Sequence, residues 1–289
     1  MAAMSRPFLK MNGLGNDFVV VEARSAPFHP GEAEARAIAD RASGVGCDQI
    51  IGIEPSQKAD AFMRIWNADG GEVGACGNAT RCAAWLLMEE KARDAATIET
   101  EAGLLKAWRA GPMQVSVDMG APRLDWRQIP LSEELDTRRL ELEIGPRGAP
   151  ILHTPGAVSM GNPHCVFFVA DLAAINIPAI GPMVENHPLF PERVNVGFAQ
   201  ILSRDRVRLR VWERGAGLTL ACGTGACAAV VAGIRLGLLD SLVDVDTRGG
   251  RLTIEWQGLA PQGAGLQSPV RMTGPAQTVF EGEIELPQQ

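Results

Sequence analysis

The 289-residue chain has no tyrosine, only four histidines and no long hydrophobic run. Its two most apolar stretches are Phe167–Ile180, interrupted by Asp171 and Asn176, and Ala226–Ile234, which is nine residues long. A spanning helix needs about 20 residues, so no membrane partner is expected. Basic residues are also in deficit. The 27 Lys and Arg face 34 Asp and Glu, and the formal charge of −7 argues against a protein built to coat nucleic acid or an anionic surface. Met1–Lys10 holds no apolar run of signal-peptide length, and a cytoplasmic protein is expected. Tight Cys-x2-Cys knuckles are missing, and no histidine lies near Cys76/Cys82 or Cys222/Cys227, which speaks against zinc. Together with Cys47 and Cys165 these six thiols read as reduced cysteines rather than a disulfide framework. Nor does Gly13–Gly15 open the G-x-G-x-x-G pattern of a dinucleotide site. Neither a zinc site nor a dinucleotide site is expected.

What is present is an ordinary globular composition, 46% hydrophobic and 21% charged, in a chain long enough for two domains of roughly 150 residues. It carries an internal repeat. Met63–Asn78 aligns without a gap on Leu209–Thr224, an offset of 146, with six of sixteen positions identical, among them Trp66/Trp212, Cys76/Cys222 and Gly77/Gly223. Average usage gives roughly one match by chance. The same offset lays Gly15-Asn16 on Gly161-Asn162 and Gln49 on Asn195, which indicates a duplication into two related domains.

Each half repeats one local pattern. A strand (Ala61–Trp66, Val207–Trp212) leads through a glycine-bearing turn to Ala-Cys-Gly and then a helix. Cys82, Trp85 and Leu86 fall at helical spacing in the first copy, and Cys227, Val230, Val231 and Ile234 in the second. Asn78 and Thr224, two residues past each cysteine, are the expected N-caps. Further strands are expected at Phe18–Glu22, Met113–Met119, Val166–Val169 and Leu252–Trp256, a crossover over Ala121–Pro150, and a long loop over Gln257–Pro269. The fold class is α/β with mixed sheets.

A cysteine just ahead of a helix meets unpaired N–H groups and the positive end of the helix dipole, both of which favour thiolate. One such cysteine suggests a nucleophile. Two, in related halves that can face each other, suggest that one Cα loses its proton to one sulfur and regains one from the other on the opposite face. The alternative for any cysteine is a core residue, the reading adopted for Cys47, Cys82, Cys165 and Cys227.

Asn12–Phe18 (NGLGNDF), Gly46–Gln49 (GCDQ), Trp66–Gly70, Cys76–Cys82 (CGNATRC), Met160–His164 (MGNPH), Arg193–Asn195 and Glu213–Ala226 (ERG…ACGTGA), in this order, resemble diaminopimelate epimerase. The resemblance runs almost end to end. It implies two pseudo-symmetric duplicated domains, each a mixed sheet or barrel around a central helix, spanning 1–122 joined by 275–289, and 123–274, with the active site in the cleft between them. It also implies conversion of LL- to meso-diaminopimelate without cofactor or metal, in lysine and peptidoglycan precursor synthesis, by a likeness-derived homodimer. Phe280 stands where the family often has a dimer-contact tyrosine. Two other departures are Ala79, where the first cysteine loop commonly has glycine, and Leu218, where glutamate is more usual.

By this resemblance Cys76 and Cys222 are the acid–base pair, one thiolate and one thiol. The N–H groups of Gly77, Asn78, Gly223 and Thr224 would hold the reacting carboxylate. Asn16/Asn162 and Gln49/Asn195 stay alike between halves, whereas Asn67-Ala68 becomes Glu213-Arg214. A substrate with one reacting and one spectator centre needs such asymmetry. Arg214 would clamp the distal carboxylate, Glu213 would accept from an ammonium, and Asn67, Asn162 and Asn195 would complete the cage. Glu213 would tune a cysteine pKa, and His164 would either do the same or stand as a satisfied structural histidine. A proline-racemase-like enzyme and a non-catalytic amino-acid-binding module are the rival readings. The Glu213-Arg214 pair argues against the first, and the presence of both cysteines against the second.

Overall fold

Residues rich in β-branched and aromatic side chains build one strand pattern twice. The computed structural model describes residues 4–74, 76–146, 148–258 and 266–286. The chain divides into two units, one of 1–118 with 273–289 and one of 119–272. In the first, β1 (Met4–Gly13), β2 (Asn16–Glu22), β3 (Gln49–Glu54), β4 (Ala61–Asn67), β5 (Ala95–Thr100), β6 (Gly103–Gly111) and β7 (Gln114–Asp118) lie side by side in chain order. Helix α1 (Glu32–Ala39) follows β2, and α2 (Gly77–Glu90) follows β4.

The crossover holds a small two-stranded ladder, β8 (Glu143–Ile144) with β9 (Leu152–His153). The second unit then runs β10 (Gly156–Ser159), β11 (Pro163–Phe168), α3 (Ile177–Glu185), β12 (Asn195–Ser203), β13 (Arg206–Glu213), β14 (Gly217–Leu218), α4 (Gly223–Arg235), β15 (Leu242–Asp246) and β16 (Arg251–Glu255). After β17 (Arg271–Pro275), β18 (Gln277–Leu286) returns to the first unit and pairs antiparallel with β1.

The duplication extends to strand register. Phe18 pairs with Gln49 in the parallel β2–β3 ladder, and His164 with Asn195 in the parallel β11–β12 ladder, 146 residues on. Ile50 opposes Trp66 across β3–β4 as Val196 opposes Trp212 across β12–β13. The bridge Trp66–Glu72 recurs as Trp212–Leu218.

Helix α2 packs against β1, β2, β5, β6 and β7 of its own unit, and α4 against β10, β11, β12, β13 and β16 of the other. Both are rich in Ala, Gly and Cys, small enough for strands to close on every side. In α4 every residue from Gly225 to Ile234 is buried. A helix covered all round carries little amphipathic signal, and each stops at a left-handed residue, Ala92 (φ 48°) and Gly237 (φ 72°). The second helix of each unit covers the sheet's other face. There α1 lies with Phe28 over Trp66, and α3 lies on Trp212.

Expected strands are present with shifted ends, and Met113 lies in the turn before β7 at φ 51°. The expected crossover is mostly irregular chain around a 3-10 turn at Trp126–Gln128. Of the expected loop over Gln257–Pro269, residues 259–265 lie outside the described residues. The N-cap expectation needs correction. The caps are Cys76 and Cys222 themselves, in extended conformation, and Asn78 and Thr224 lie inside the first turn. The backbone turns helical one residue after each cysteine, at Gly77 and Gly223.

Gly181 of α3 sits so close to Trp212 that an added Cβ would lie 2.5 Å from the indole. Gly181→Ala should therefore displace α3 and destabilise the protein by about 1–3 kcal/mol, measured by urea unfolding. A midpoint unchanged from the wild type would contradict this packing.

Candidate active site

Each N-terminal turn presents its first N–H groups with no partner inside the helix. Gly77 and Asn78 occupy these positions in α2, and Gly223 and Thr224 in α4. The cysteine carbonyls already accept the first helical bonds, from Thr80 at 2.9 Å and Ala226 at 2.9 Å. Beside each turn a glycine at positive φ, Gly15 (87°) or Gly161 (95°), reverses the chain and delivers Asn16 or Asn162.

In the first unit, Asn78 Nδ2 donates to Asn16 Oδ1 at 2.5 Å, and Asn16 Nδ2 donates to Asp48 Oδ2 at 3.3 Å. The fully buried Arg81 donates to Asn78 Oδ1 at 2.9 Å and to the Pro275 carbonyl at 3.1 Å. A donor-only guanidinium at one end and an acceptor-only carboxylate at the other fix both amide orientations. Asp48 is held by Arg41 at 2.8 Å, which also grips Asp17. Gln49 donates to Asn67 Oδ1 at 3.0 Å across the β3–β4 ladder. Cys76 is half-buried.

In the second unit the corresponding chain points toward the sulfur. His164 Nε2 lies 3.1 Å from Asn162 Oδ1, and Asn162 Nδ2 donates to Thr224 Oγ1 at 3.2 Å. The threonine proton is thereby free to face Cys222 Sγ, 3.6 Å away. Because Asn162 accepts, His164 carries its proton on Nε2, and its buried Nδ1 has no partner. Burial, then the Arg214 charge, push His164 down to about 3, so it is a neutral imidazole near pH 7.

The helix-start argument for a low cysteine pKa fails at Cys222. Burial drives this thiol well above its usual value, and the Glu213 carboxylate, to which it donates a hydrogen bond, raises it further. Thr224 and the Gly225 N–H pull the other way and lose. Desolvation of a thiolate outweighs one helix end. Burial likewise raises Glu213, which accepts from Thr219 Oγ1 at 2.5 Å.

Asn195 is buried and donates to the Pro163 carbonyl at 2.9 Å while accepting from the Arg214 N–H at 2.9 Å. The Arg214 guanidinium donates to the Glu192 carbonyl at 2.7 Å. Behind this turn stands a residue the sequence reading missed. Glu185, buried at the end of α3, accepts from Trp212 Nε1 at 2.7 Å, the Gly215 N–H at 2.9 Å and Arg193 at 3.2 Å. Asp48 and Arg81 were missed as well. Asp48 and Arg81 lie within the quoted motifs and Glu185 outside them, and each has partners distant in sequence. Cys47, Cys82, Cys165 and Cys227 are all buried. Phe280, on β18, is 47% exposed and meets Phe8 edge-on at 5.9 Å. Among the described residues no three His, Cys, Asp or Glu side chains gather as a metal site would require, and no helix is long and apolar enough to cross a membrane.

The family model for diaminopimelate epimerase matches residues 8–124 and 156–279. The chain belongs to the diaminopimelate epimerase family. The diaminopimelate epimerase of Phenylobacterium zucineum is 59% identical over 283 residues, covering 98% of this chain and 99% of its own. Those of Acidiphilium cryptum and Caulobacter sp. strain K31 are 55% and 54% identical, covering 98% and 97% of this chain and 98% of each relative. Among solved structures, a PhzF-family phenazine biosynthesis protein of Bacillus anthracis covers 98% of this chain and 100% of its own, with TM-score 0.67 and 17% identity. A hydroxyproline epimerase of Agrobacterium vitis covers 98% and 92%, with TM-score 0.67 and 18% identity. These two share the fold of the diaminopimelate epimerase family at low identity.

His164 gives a pH test. Its pKa is depressed relative to the unfolded value of 6.5, so below that pH the unfolded chain binds a proton that the folded chain refuses. Stability is therefore lost as pH falls from about 6.5 toward 3, with a slope of about 1.4 kcal/mol per pH unit from this group. His164→Phe, which installs the residue of the first unit at this register, should flatten the acid side of the stability curve. Parallel curves for variant and wild type in urea unfolding would remove the buried neutral imidazole from the account.

Proposed function

We propose that this chain is a cofactor-independent amino-acid epimerase that converts LL-2,6-diaminopimelate to meso-diaminopimelate, with Cys76 and Cys222 as its two proton carriers. The observation that carries the reading is their common placement, each the N-cap of the enclosed helix in its own copy of the repeat. Family membership supplies the substrate class, and with it the step toward lysine and peptidoglycan precursors.

In this reading Cys222 enters as the thiol, kept protonated by burial and by Glu213. Cys76 enters as the base. The Cα–H bond breaks, its proton passes to the Cys76 sulfur, and the electron pair delocalises onto the adjoining carboxylate. The N–H groups of Gly77, Asn78, Gly223 and Thr224 hold that carboxylate, since preorganised donors are most effective where charge develops. Cys222 delivers its proton to the opposite face, and the thiolate it becomes is met by the Thr224 hydroxyl and the Gly225 N–H. His164 acts through Asn162 and Thr224, and Glu213 directly, to set the Cys222 pKa.

Asn16, Gln49, Asn67, Asn162 and Asn195 form the polar cage, while Glu213 and Arg214 serve the distal amino-acid centre. The enzyme works among small molecules in the cytoplasm and pairs as a homodimer along β18, which among the described residues has only β1 as a neighbour and exposes Val279 and Phe280.

Incubation with LL-diaminopimelate in deuterated water should place deuterium at one α-carbon with inversion. Cys76→Ala and Cys222→Ala should each lower turnover by about 10²–10⁴-fold or more. Near-wild-type turnover by either variant would sink the two-base mechanism.

Arg214→Lys keeps the charge and loses the planar fork. It should lower kcat/KM for diaminopimelate by roughly one to two orders of magnitude, equivalent to about 1–3 kcal/mol for an unpaired polar group. Lysine, which lacks the distal carboxylate, should be a poor substrate for both proteins. Good turnover of lysine or proline by the wild type would overturn the substrate while leaving the cysteine chemistry intact.

A further inference from the structure

The repeat contains one charged site whose sign has been inverted. In the first unit Arg64, on β4, is neutralised by acidic neighbours. Its Nε lies 2.8 Å from Glu54, and its Nη1 lies 3.0 Å from Glu72 and 3.8 Å from Glu101. These partners, Glu54 first, hold the guanidinium pKa above its ordinary value.

The same backbone frame recurs around Arg210 on β13. Ala61 pairs with Ile98 as Val207 pairs with Val245. The Thr100 hydroxyl donates to the Gly103 carbonyl at 3.0 Å as Thr247 does to Gly250 at 2.8 Å. Ala102 N–H reaches the Gly74 carbonyl as Gly249 N–H reaches that of Leu220. The offset is 146 as far as β13 and 147 from β15 onward, so the counterparts of Glu54, Glu72 and Glu101 are Gln200, Leu218 and Arg248. Two carboxylates have become neutral and the third has become a cation.

Arg210 is half-buried, and among the described residues the one hydrogen bond of its side chain goes to the Leu209 carbonyl at 2.7 Å. The Gln200 amide nitrogen donates to the Ala170 carbonyl at 2.9 Å, and its oxygen accepts from Arg208 at 3.4 Å rather than from Arg210. Asp246, whose charge reaches Arg210, is held by Arg206 at 2.8 Å on one oxygen and Arg251 at 2.9 Å on the other. Burial, then Arg248 and Arg208, lower the Arg210 pKa, the reverse of its sister. A guanidinium offers five donors in a fixed fork, and here most of them are left among like charges.

We propose that Arg210, with Arg208 and Arg248, forms a binding site for a small oxyanion of the phosphate class on the second unit. The anion takes the place that the Glu54 and Glu72 carboxylates fill in the first unit, where the second unit has Gln200 and Leu218 at the same register. Arg–oxyanion pairs are charge-assisted and two-pronged, which favours phosphate over chloride. The site borders the segment that leads into Cys222, because the Gly249–Leu220 bond ties the loop of Arg248 to the residue two before that cysteine. It is independent of the epimerase reading.

The test compares thermal unfolding of the full-length protein in inorganic phosphate and in chloride at matched ionic strength, with calorimetric titration of phosphate. Phosphate should raise Tm saturably in the wild type. Arg210→Gln should weaken phosphate binding by about tenfold or more. Leu218→Glu restores the carboxylate of the sister site, so it should raise Tm without phosphate and abolish the phosphate response. Tighter binding of glycerol phosphate than of inorganic phosphate would identify a phosphoryl metabolite as the occupant, and the reverse order would identify the free ion. No saturable response in the wild type, or an undiminished response in Leu218→Glu, would overturn the proposal.

Discussion

A helix enclosed on every side by strands can reach solvent only at its ends. That constraint governs both units. The side chains of α2 and α4 are spent on packing, so whatever chemistry the helix offers must come from its first turn, where N–H groups lack partners and the backbone is still extended. A cysteine at that cap has its sulfur beside those donors. The neighbouring pieces follow from the same need. Small residues let the strands close on the helix, and left-handed glycines turn an asparagine toward the cap. Gly225 has no Cβ because one would come within 3.2 Å of the Cys222 sulfur and 3.0 Å of Val211.

Duplication supplied two such caps, and divergence made them unequal. The Arg81–Asn78–Asn16–Asp48 chain is anchored by permanent charges and runs away from its cysteine. The chain from His164 through Asn162 and Thr224 runs toward Cys222 and is anchored by a neutral group with an unpaired nitrogen. One arrangement is rigid in its polarity, whereas the other can favour a thiolate while its surroundings favour a thiol. The difference between the two polar chains lies at two positions of the repeat, Phe18 against His164 and Asn78 against Thr224, whereas the protonated state of Cys222 comes from burial and Glu213.

The repeat and the two cysteines were legible because they are written in contiguous residues. The sixteen-residue match around Trp66 and Trp212 gave the duplication, the strand–turn–helix order and both caps to within two residues. Strands such as β3 and β12 were not picked out, since their central residues are buried on both faces and show little alternation. Asp48, Arg81 and Glu185 escaped for another reason. An isolated carboxylate or arginine in a motif does not reveal that it will be buried, and the partners of Arg81 and Glu185 include Pro275 and Trp212, far along the chain. Which cysteine is the thiol was not legible, because the sequence displays the helix start and conceals the burial of Cys222.

The return of the chain to its beginning sets an order of assembly. Residues 119–272 form a continuous unit that can close as soon as it leaves the ribosome. The first unit cannot. Strand β1 waits for β18 along its length, and the buried guanidinium of Arg81 lacks its carbonyl acceptor until Pro275 has been made. The Ser116 hydroxyl likewise meets Thr273 only then. The half synthesised first is thus the half completed last, and strand β1 must remain soluble until β18 has been made. The charged and polar residues scattered along that strand, Ser5, Arg6, Lys10 and Asn12 among them, suit a segment that spends its early life without a neighbour on one side.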